Sequence, residues 1–204
     1  DLKNYCDQIG IIYSTSVWDV VSAKEVITIA PELIKVPSAM NTNFDMLTLL
    51  RDEYQGEVHI STGMTTKHEE KEVIDFFLET NQAKRIVLYS CTSGYPVDPE
   101  DVCLLEIKRL HDLFSDQVKA IGFSGHHQGI SADIAAGTLG VKWIERHFTL
   151  DRTLKGTDHA ASLEPDGARR VKRDLQLLEQ SLKFKKKDIL NCEILQRKKL
   201  KFTH

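Results

Sequence analysis

Short runs of β-branched and aliphatic residues recur along this chain with longer amphipathic segments between them, and that alternation restricts the fold more than any other feature. Strand-sized apolar runs separated by helix-sized segments build repeated βα units around a parallel sheet. Six strands are expected, over residues 10–14, 33–36, 58–61, 85–89, 120–123 and 142–144. Their spacing of about twenty to thirty-five residues accommodates a strand, a helix and two connections. Helices are expected over residues 16–29, after Thr65 and Thr66 with Glu69 and Glu70 in the first turn, over 99–114, and over 165–182 with Pro165 in a first-turn position.

The fold class is therefore α/β, and a (β/α)8 TIM barrel is the expected architecture. Such a barrel needs eight strands. Six visible strands imply two further βα units upstream of Asp1. An open doubly wound sheet, which needs only five or six strands, is the alternative; it should bring a glycine-rich G-x-G-x-x-G turn, and the chain has none.

The chain divides by composition at Leu182. Residues 1–182 read as the partial barrel, and residues 183–204, with basic clusters at 183–187 and 197–201, read as a solvated linker. A net charge of -3 gives no reason to expect nucleic acid. No run approaches the eighteen or so apolar residues of a membrane span, and no signal peptide is apparent, so a cytoplasmic location is expected. The four cysteines are scattered, which suggests neither a zinc knuckle nor a disulfide framework.

Chemistry in a parallel barrel gathers where the strands end. The strand ends here carry Ser14-Thr15-Ser16, Lys35 and Ser38, Ser61-Thr62-Gly63, Cys91 to Tyr95, Ser124-Gly125-His126, and Glu145-Arg146-His147. Hydroxyls, a lysine and backbone N–H groups converging on one mouth suit a phosphate or a carboxylate. Any one of the hydroxyls also reads as a helix cap. His126 and His147 follow adjacent strands, about 4.8 Å apart, so their imidazoles reach one pocket and suit a divalent metal. His127 is expected to point away from His126, and His159 falls in a polar loop over residues 151–165 that is expected to fold over the pocket.

Four ordered stretches carry a resemblance to a known family: HISTGM (59–64), IGFSGHHQGI (121–130), WIERHFTLDR (143–152) and GTDHAASLEP (156–165). They resemble the sialic acid synthase family, which condenses phosphoenolpyruvate with an N-acetylated hexose. The resemblance covers residues 11–182 and implies that the visible units are the third to the eighth of a barrel. The tail ILNCEILQRKKL (189–200) resembles the linker to a small C-terminal antifreeze-like domain, through which family members pair as homodimers.

By motif position the resemblance assigns Thr15, Lys35, Ser38, Ser61 and Ser124 to phosphoenolpyruvate, Ser93 and Tyr95 to the substrate pocket, and His126 and His147 to a divalent ion, Mn2+ first with Mg2+ or Co2+ as alternatives. The implied product is a nine-carbon 2-keto acid sugar, with N-acetylmannosamine as the leading substrate. Two departures stand out: Met40 occupies a commonly acidic position, so no general base is assigned, and Gly125 stands where Asp is common. A legionaminic or pseudaminic acid synthase, and an inactive fragment or an anion- or sugar-binding module, are the other readings.

Overall fold

The protein is described by a computed structural model over residues 2–202; Asp1 and residues 203 and 204, the outer ends of the two expected segments, lie outside the described residues. In chain order the elements are α1 (Leu2–Ile9), α2 (Val20–Ile29), β1 (Leu33–Val36), α3 (Phe44–Asp52), β2 (Glu57–Ser61), α4 (Lys67–Leu78), β3 (Ile86–Cys91), α5 (Leu105–Phe114), β4 (Ala120–Gly125), α6 (Ser131–Thr138), β5 (Trp143–Arg146), α7 (Pro165–Ser181) and α8 (Asn191–Leu200). The five strands pair in parallel in the order β1-β2-β3-β4-β5.

Strand alternation separates two environments. One face sends Ile34, Val36, Val58, Ile60, Leu88, Ile121 and Phe123 into a core with Met46, Leu50, Ile74, Phe77, Ile107 and Leu110 from the helices. The other face carries Lys35, His59, Ser61, Tyr89, Ser124 and Glu145, brought side by side by the pairings Lys35 with His59, Ser61 with Tyr89, and Ser124 with Glu145. The helix-covered face thus supplies the hydrophobic stabilisation, and the opposite face is free to be polar.

That polar face is concave. In a flat sheet β1 and β5 would be separated by four strand spacings of about 4.8 Å each, too far for two side chains to meet. Yet Lys35 Nζ on β1 lies 3.2 Å from Glu145 Oε1 on β5. The sheet is therefore curled into a half-barrel, and its concave side is a lumen.

Among the described residues the expectation of six strands is corrected to five. Residues 10–14 form no strand; just beyond them the chain makes one isolated parallel bridge, Ser16 with Lys35, in which Val17 N–H donates to the Lys35 carbonyl at 3.0 Å and Lys35 N–H to the Thr15 carbonyl at 3.0 Å. Ile11 and Ile12 stay exposed, since among the described residues no element covers them. Ahead of them lies α1, an exposed helix that the sequence reading did not anticipate.

Other boundaries shift for local reasons. The helix expected from residue 16 begins at Val20, because Asp19 caps it through a capping box with Ser22. Thr66 and Glu69 form the box expected at α4, and Pro165 opens α7 as expected. The helix expected over 99–114 is broken: a 3-10 turn (Pro99–Asp101) is separated from α5 by Cys103, whose φ of 48° interrupts the helical path. In the basic tail, α8 is an exposed helix with no buried residue.

Candidate active site

The carboxyl ends of the strands and the residues just beyond them form three connected groups. In the first, Lys35 Nζ donates to Ser61 Oγ at 2.6 Å and pairs with Glu145, while Ser124 Oγ donates to Glu145 Oε1 at 2.8 Å. Lys35, Ser61 and Ser124 are buried at 8%, 2% and 3% exposure, whereas the Glu145 side chain remains 38% exposed. A buried ammonium needs an anionic or hydrogen-bonding partner, and here it has both. The ammonium also lies 5.4 Å from the centre of the Tyr89 ring.

Below this group, His59 is held by three neighbours. Its Nε2 faces Glu57 Oε2 at 3.3 Å, its Nδ1 meets the Tyr89 hydroxyl at 2.8 Å, and its ring sits edge-on to Trp143 at 4.7 Å. A carboxylate only accepts, so Nε2–H donates to Glu57 and Nδ1 accepts from Tyr89. Burial holds the His59 imidazole below its ordinary pKa despite Glu57 beside it, and burial raises that of the Tyr89 phenol. Both are neutral floor residues of the lumen.

The second group is a cradle around Gly63. Its N–H donates to Ser38 Oγ at 3.1 Å, and Ser38 Oγ in turn donates to Cys91 Sγ at 3.6 Å. A side chain at Gly63 is excluded by close approach, since a Cβ there would lie 2.2 Å from Ser93 Oγ and 2.6 Å from Ser38 Oγ. The Ser93 hydroxyl is buried and finds no hydrogen-bond partner among the described residues. Asn41 braces the cradle by donating to the Ser61 carbonyl at 2.8 Å.

The third group contains the imidazole pair. The rings of His126 and His147 are 5.2 Å apart between centres, with the Tyr95 ring 4.5 Å from the first and 5.6 Å from the second. His126 Nδ1 lies 2.8 Å from the Thr92 carbonyl, which only accepts, so Nδ1 carries the proton and, whenever the ring is neutral, Nε2 keeps a free lone pair. His147 Nδ1 faces Asp158 Oδ2 at 3.6 Å. Asp158 reaches this point because the 151–165 loop folds back on β5: Leu163 N–H donates to the His147 carbonyl at 2.8 Å and Thr149 N–H to the Leu163 carbonyl at 2.9 Å.

The electrostatics of this group are mutual. Burial lowers the pKa of His126, but Cys91, the Thr92 carbonyl and Glu145 together outweigh that and leave it raised. Burial raises the Cys91 thiol, and contacts with His126 and Ser38 reverse the shift. His147 is lowered, first by burial and then by the charge of His126. As a test of metal binding, one free lone pair on His126 and a second imidazole within reach supply two nitrogen donors suited to a divalent first-row ion. Among the described residues no set of three or more His, Cys, Asp or Glu side chains is arranged to hold a metal. The chain fits a two-imidazole contribution to such an ion.

Of the residues singled out from the sequence, Lys35, Ser61 and Ser124 come together, Ser38 and Ser93 meet over Gly63, and His126, His147 and Tyr95 form one cluster. Thr15 stands apart on the outer edge of β1, where its carbonyl serves the isolated bridge. His127 is buried against Phe123 and Arg146, on the side away from His126. His159 holds Thr149 Oγ1 at 2.9 Å. The sequence places Glu145, Cys91 and Gly63 at strand ends but assigns them no role. Glu145 and His147, and Cys91 and Ser93, are each two positions apart, so period-two alternation places each pair on one face.

Comparison with known proteins agrees with this architecture. A model of the NeuB family matches residues 1–187. The human N-acetylneuraminate-9-phosphate synthase is 36% identical over 200 residues, covering 98% of this chain and 54% of that protein. The N,N'-diacetyllegionaminic acid synthase of Campylobacter jejuni is 34% identical over 167 residues, covering 81% and 48%. Among solved structures, the N-acetylneuraminic acid synthetase of Leptospira borgpetersenii, determined in complex with citrate, superposes with a TM-score of 0.84 at 26% identity, covering 98% of this chain and 69% of that one. The chain spans about half the length of the curated relatives it matches. With its family match spanning all five strands and all three groups of the site, the chain belongs to the NeuB family.

Proposed function

We propose that this chain carries the anion-binding and metal-binding side of a sugar-acid synthase site, which joins phosphoenolpyruvate to an N-acetylated hexose and releases phosphate. The observation that carries the reading is the buried Lys35–Ser61–Ser124 cluster beside the His126–His147 pair in one lumen. Lys35 neutralises and orients an anionic group, and the Ser61 and Ser124 hydroxyls complete its hydrogen bonds. Ser38 and the buried Ser93 hydroxyl extend the donor set across the cradle, and Tyr95 borders the open side where a sugar enters.

His126 and His147 hold the divalent ion, with manganese as the expected metal; when bound, it polarises a carbonyl oxygen as a Lewis acid. In the overall reaction the methylene carbon of phosphoenolpyruvate bonds to the aldehyde carbon of the open-chain sugar, water adds at the former enol carbon, and inorganic phosphate leaves. The products are a nine-carbon 2-keto acid and phosphate. Met40 packs against the hydrophobic core and offers no acid, so the group that activates water is not assigned to this position.

N-acetylmannosamine is the leading acceptor. The relatives named for N-acetylneuraminate-9-phosphate and legionaminic acid, at similar identity, make its phosphorylated form and a diacetylated hexose the next to test. The assay is phosphate release from phosphoenolpyruvate with Mn2+ and a panel of these sugars. Release with one sugar, lost on chelation, is expected; no release from the full gene product with any of them would overturn the synthase reading.

A further inference from the structure

One acidic side chain sits within the anion pocket itself. Glu145 lies on β5 two residues before His147, facing the lumen, and its Oε1 is the point on which the other groups converge: Ser124 Oγ donates to it at 2.8 Å and Lys35 Nζ lies 3.2 Å away. The same ammonium donates to Ser61 Oγ at 2.6 Å. Three groups from β1, β2 and β4, buried and suited to an anion, are thus already organised around a carboxylate of the chain. Lys35 and Ser124 are held within the pocket, but the Glu145 side chain is 38% exposed and can leave toward solvent.

Resting on the synthase reading above, we propose that Glu145 is the resident anion of the pocket, an internal competitor that a phosphate- or carboxylate-bearing ligand must displace from Lys35 and Ser124. The pocket is kept paired when no ligand is present, which avoids an uncompensated buried ammonium. A ligand with one weak negative charge exchanges one ion pair for another and gains little. A phosphate ester that also carries a carboxylate supplies more acceptor oxygens than Glu145 does and gains the difference. Glu145 therefore sets affinity and favours polyanions over simple carboxylates. It is an affinity-setting residue, distinct from the groups that contact the reacting atoms.

The test is calorimetric titration of the full chain, at fixed pH and ionic strength, with phosphoenolpyruvate and with inorganic phosphate. Wild type is compared with Glu145→Gln and Glu145→Ala, each checked for folding by its thermal transition. Both variants are expected to bind phosphoenolpyruvate about tenfold more tightly, since a like charge near the ligand has been removed at a partly solvated position. Adding Lys35→Gln to either variant should abolish the gain. Tighter binding is a result that structural damage does not produce, and two variants guard against one failing to fold. Equal or weaker binding by the folded variants, with wild type still binding, overturns this proposal and leaves the synthase reading intact. Absence of binding in folded wild type and in both folded variants overturns the anion pocket, and the synthase reading with it.

Discussion

A methyl group added at Gly63 tests whether the cradle is as tight as it looks. The new Cβ would lie 2.2 Å from Ser93 Oγ, 2.6 Å from Ser38 Oγ and 3.1 Å from Cys91 Sγ. To restore ordinary contact the Ser93 hydroxyl would have to retreat by roughly 1.2 Å and the Ser38 hydroxyl by roughly 0.8 Å. Such overpacking costs about 1–3 kcal/mol of stability. Retreat of Ser38 would also break its hydrogen bond from the Gly63 N–H, and it would displace two of the proposed anion donors. A hydrogen bond to a charged group contributes about 1.5–3 kcal/mol, so displacement of one donor weakens binding by about 10- to 100-fold.

The assay pairs thermal unfolding with calorimetric titration of phosphoenolpyruvate for Gly63→Ala, Ser93→Ala and the double variant. Ser93→Ala alone should cost little stability, since that hydroxyl has no hydrogen-bond partner among the described residues. In the double variant it removes the closer clash, so the double variant should be more stable than Gly63→Ala. Wild-type affinity in a folded Gly63→Ala protein, or no stability recovered by the double variant, would refute the cradle as a determinant of binding.

Other consequences can be checked separately. His126→Ala and His147→Ala should each weaken Mn2+ binding by at least about tenfold in a direct titration, and unchanged affinity in both would remove the imidazole pair as the metal site. Asp133 is fully buried and pairs with Arg146, whose guanidinium also binds the carbonyls of His127, Gly129 and Ala161, so Asp133→Ala should cost about 3–5 kcal/mol in urea unfolding. Burial holds the His59 pKa below its unfolded value of about 6.5, so in acid the unfolded chain takes up a proton that the folded chain resists. Stability should fall as the pH drops below about 6.5 toward the folded pKa, and His59→Gln should flatten that part of the profile relative to wild type.

The sequence conveyed the repeating pattern better than its limits. Outward-facing residues such as Ile34, Val58, Leu88 and Phe123 marked their strands because the helices bury them. Strand ends are expected too early because β3, β4 and β5 continue through Cys91, Ser124, Glu145 and Arg146, residues whose backbone still pairs while their side chains serve the lumen or the loops. Hydropathy cannot see such positions. The reverse failure occurs at Ile11 and Ile12, which are apolar and β-branched but, among the described residues, have no strand beside them to complete a ladder.

The site was legible where residue type alone signals chemistry, as at Lys35, His126 and His147. It was less legible where geometry supplies the meaning. Glu145 reads as an ordinary strand-end charge until the curl of the sheet brings it to Lys35, and Gly63 reads as a turn residue until Ser38 and Ser93 close over it. Asp158 lies eleven residues beyond His147 in sequence and meets it only through the returning loop.

The central claim is that one lumen holds both an anion and a metal ion on the groups described above. A crystal structure of the protein soaked with phosphoenolpyruvate and Mn2+ tests it most directly. The account predicts an anionic group of the ligand at Lys35, Ser61 and Ser124, with Glu145 displaced, and a manganese anomalous peak shared by His126 and His147. Phosphoenolpyruvate bound outside the lumen, or manganese bound away from both imidazoles, would contradict it.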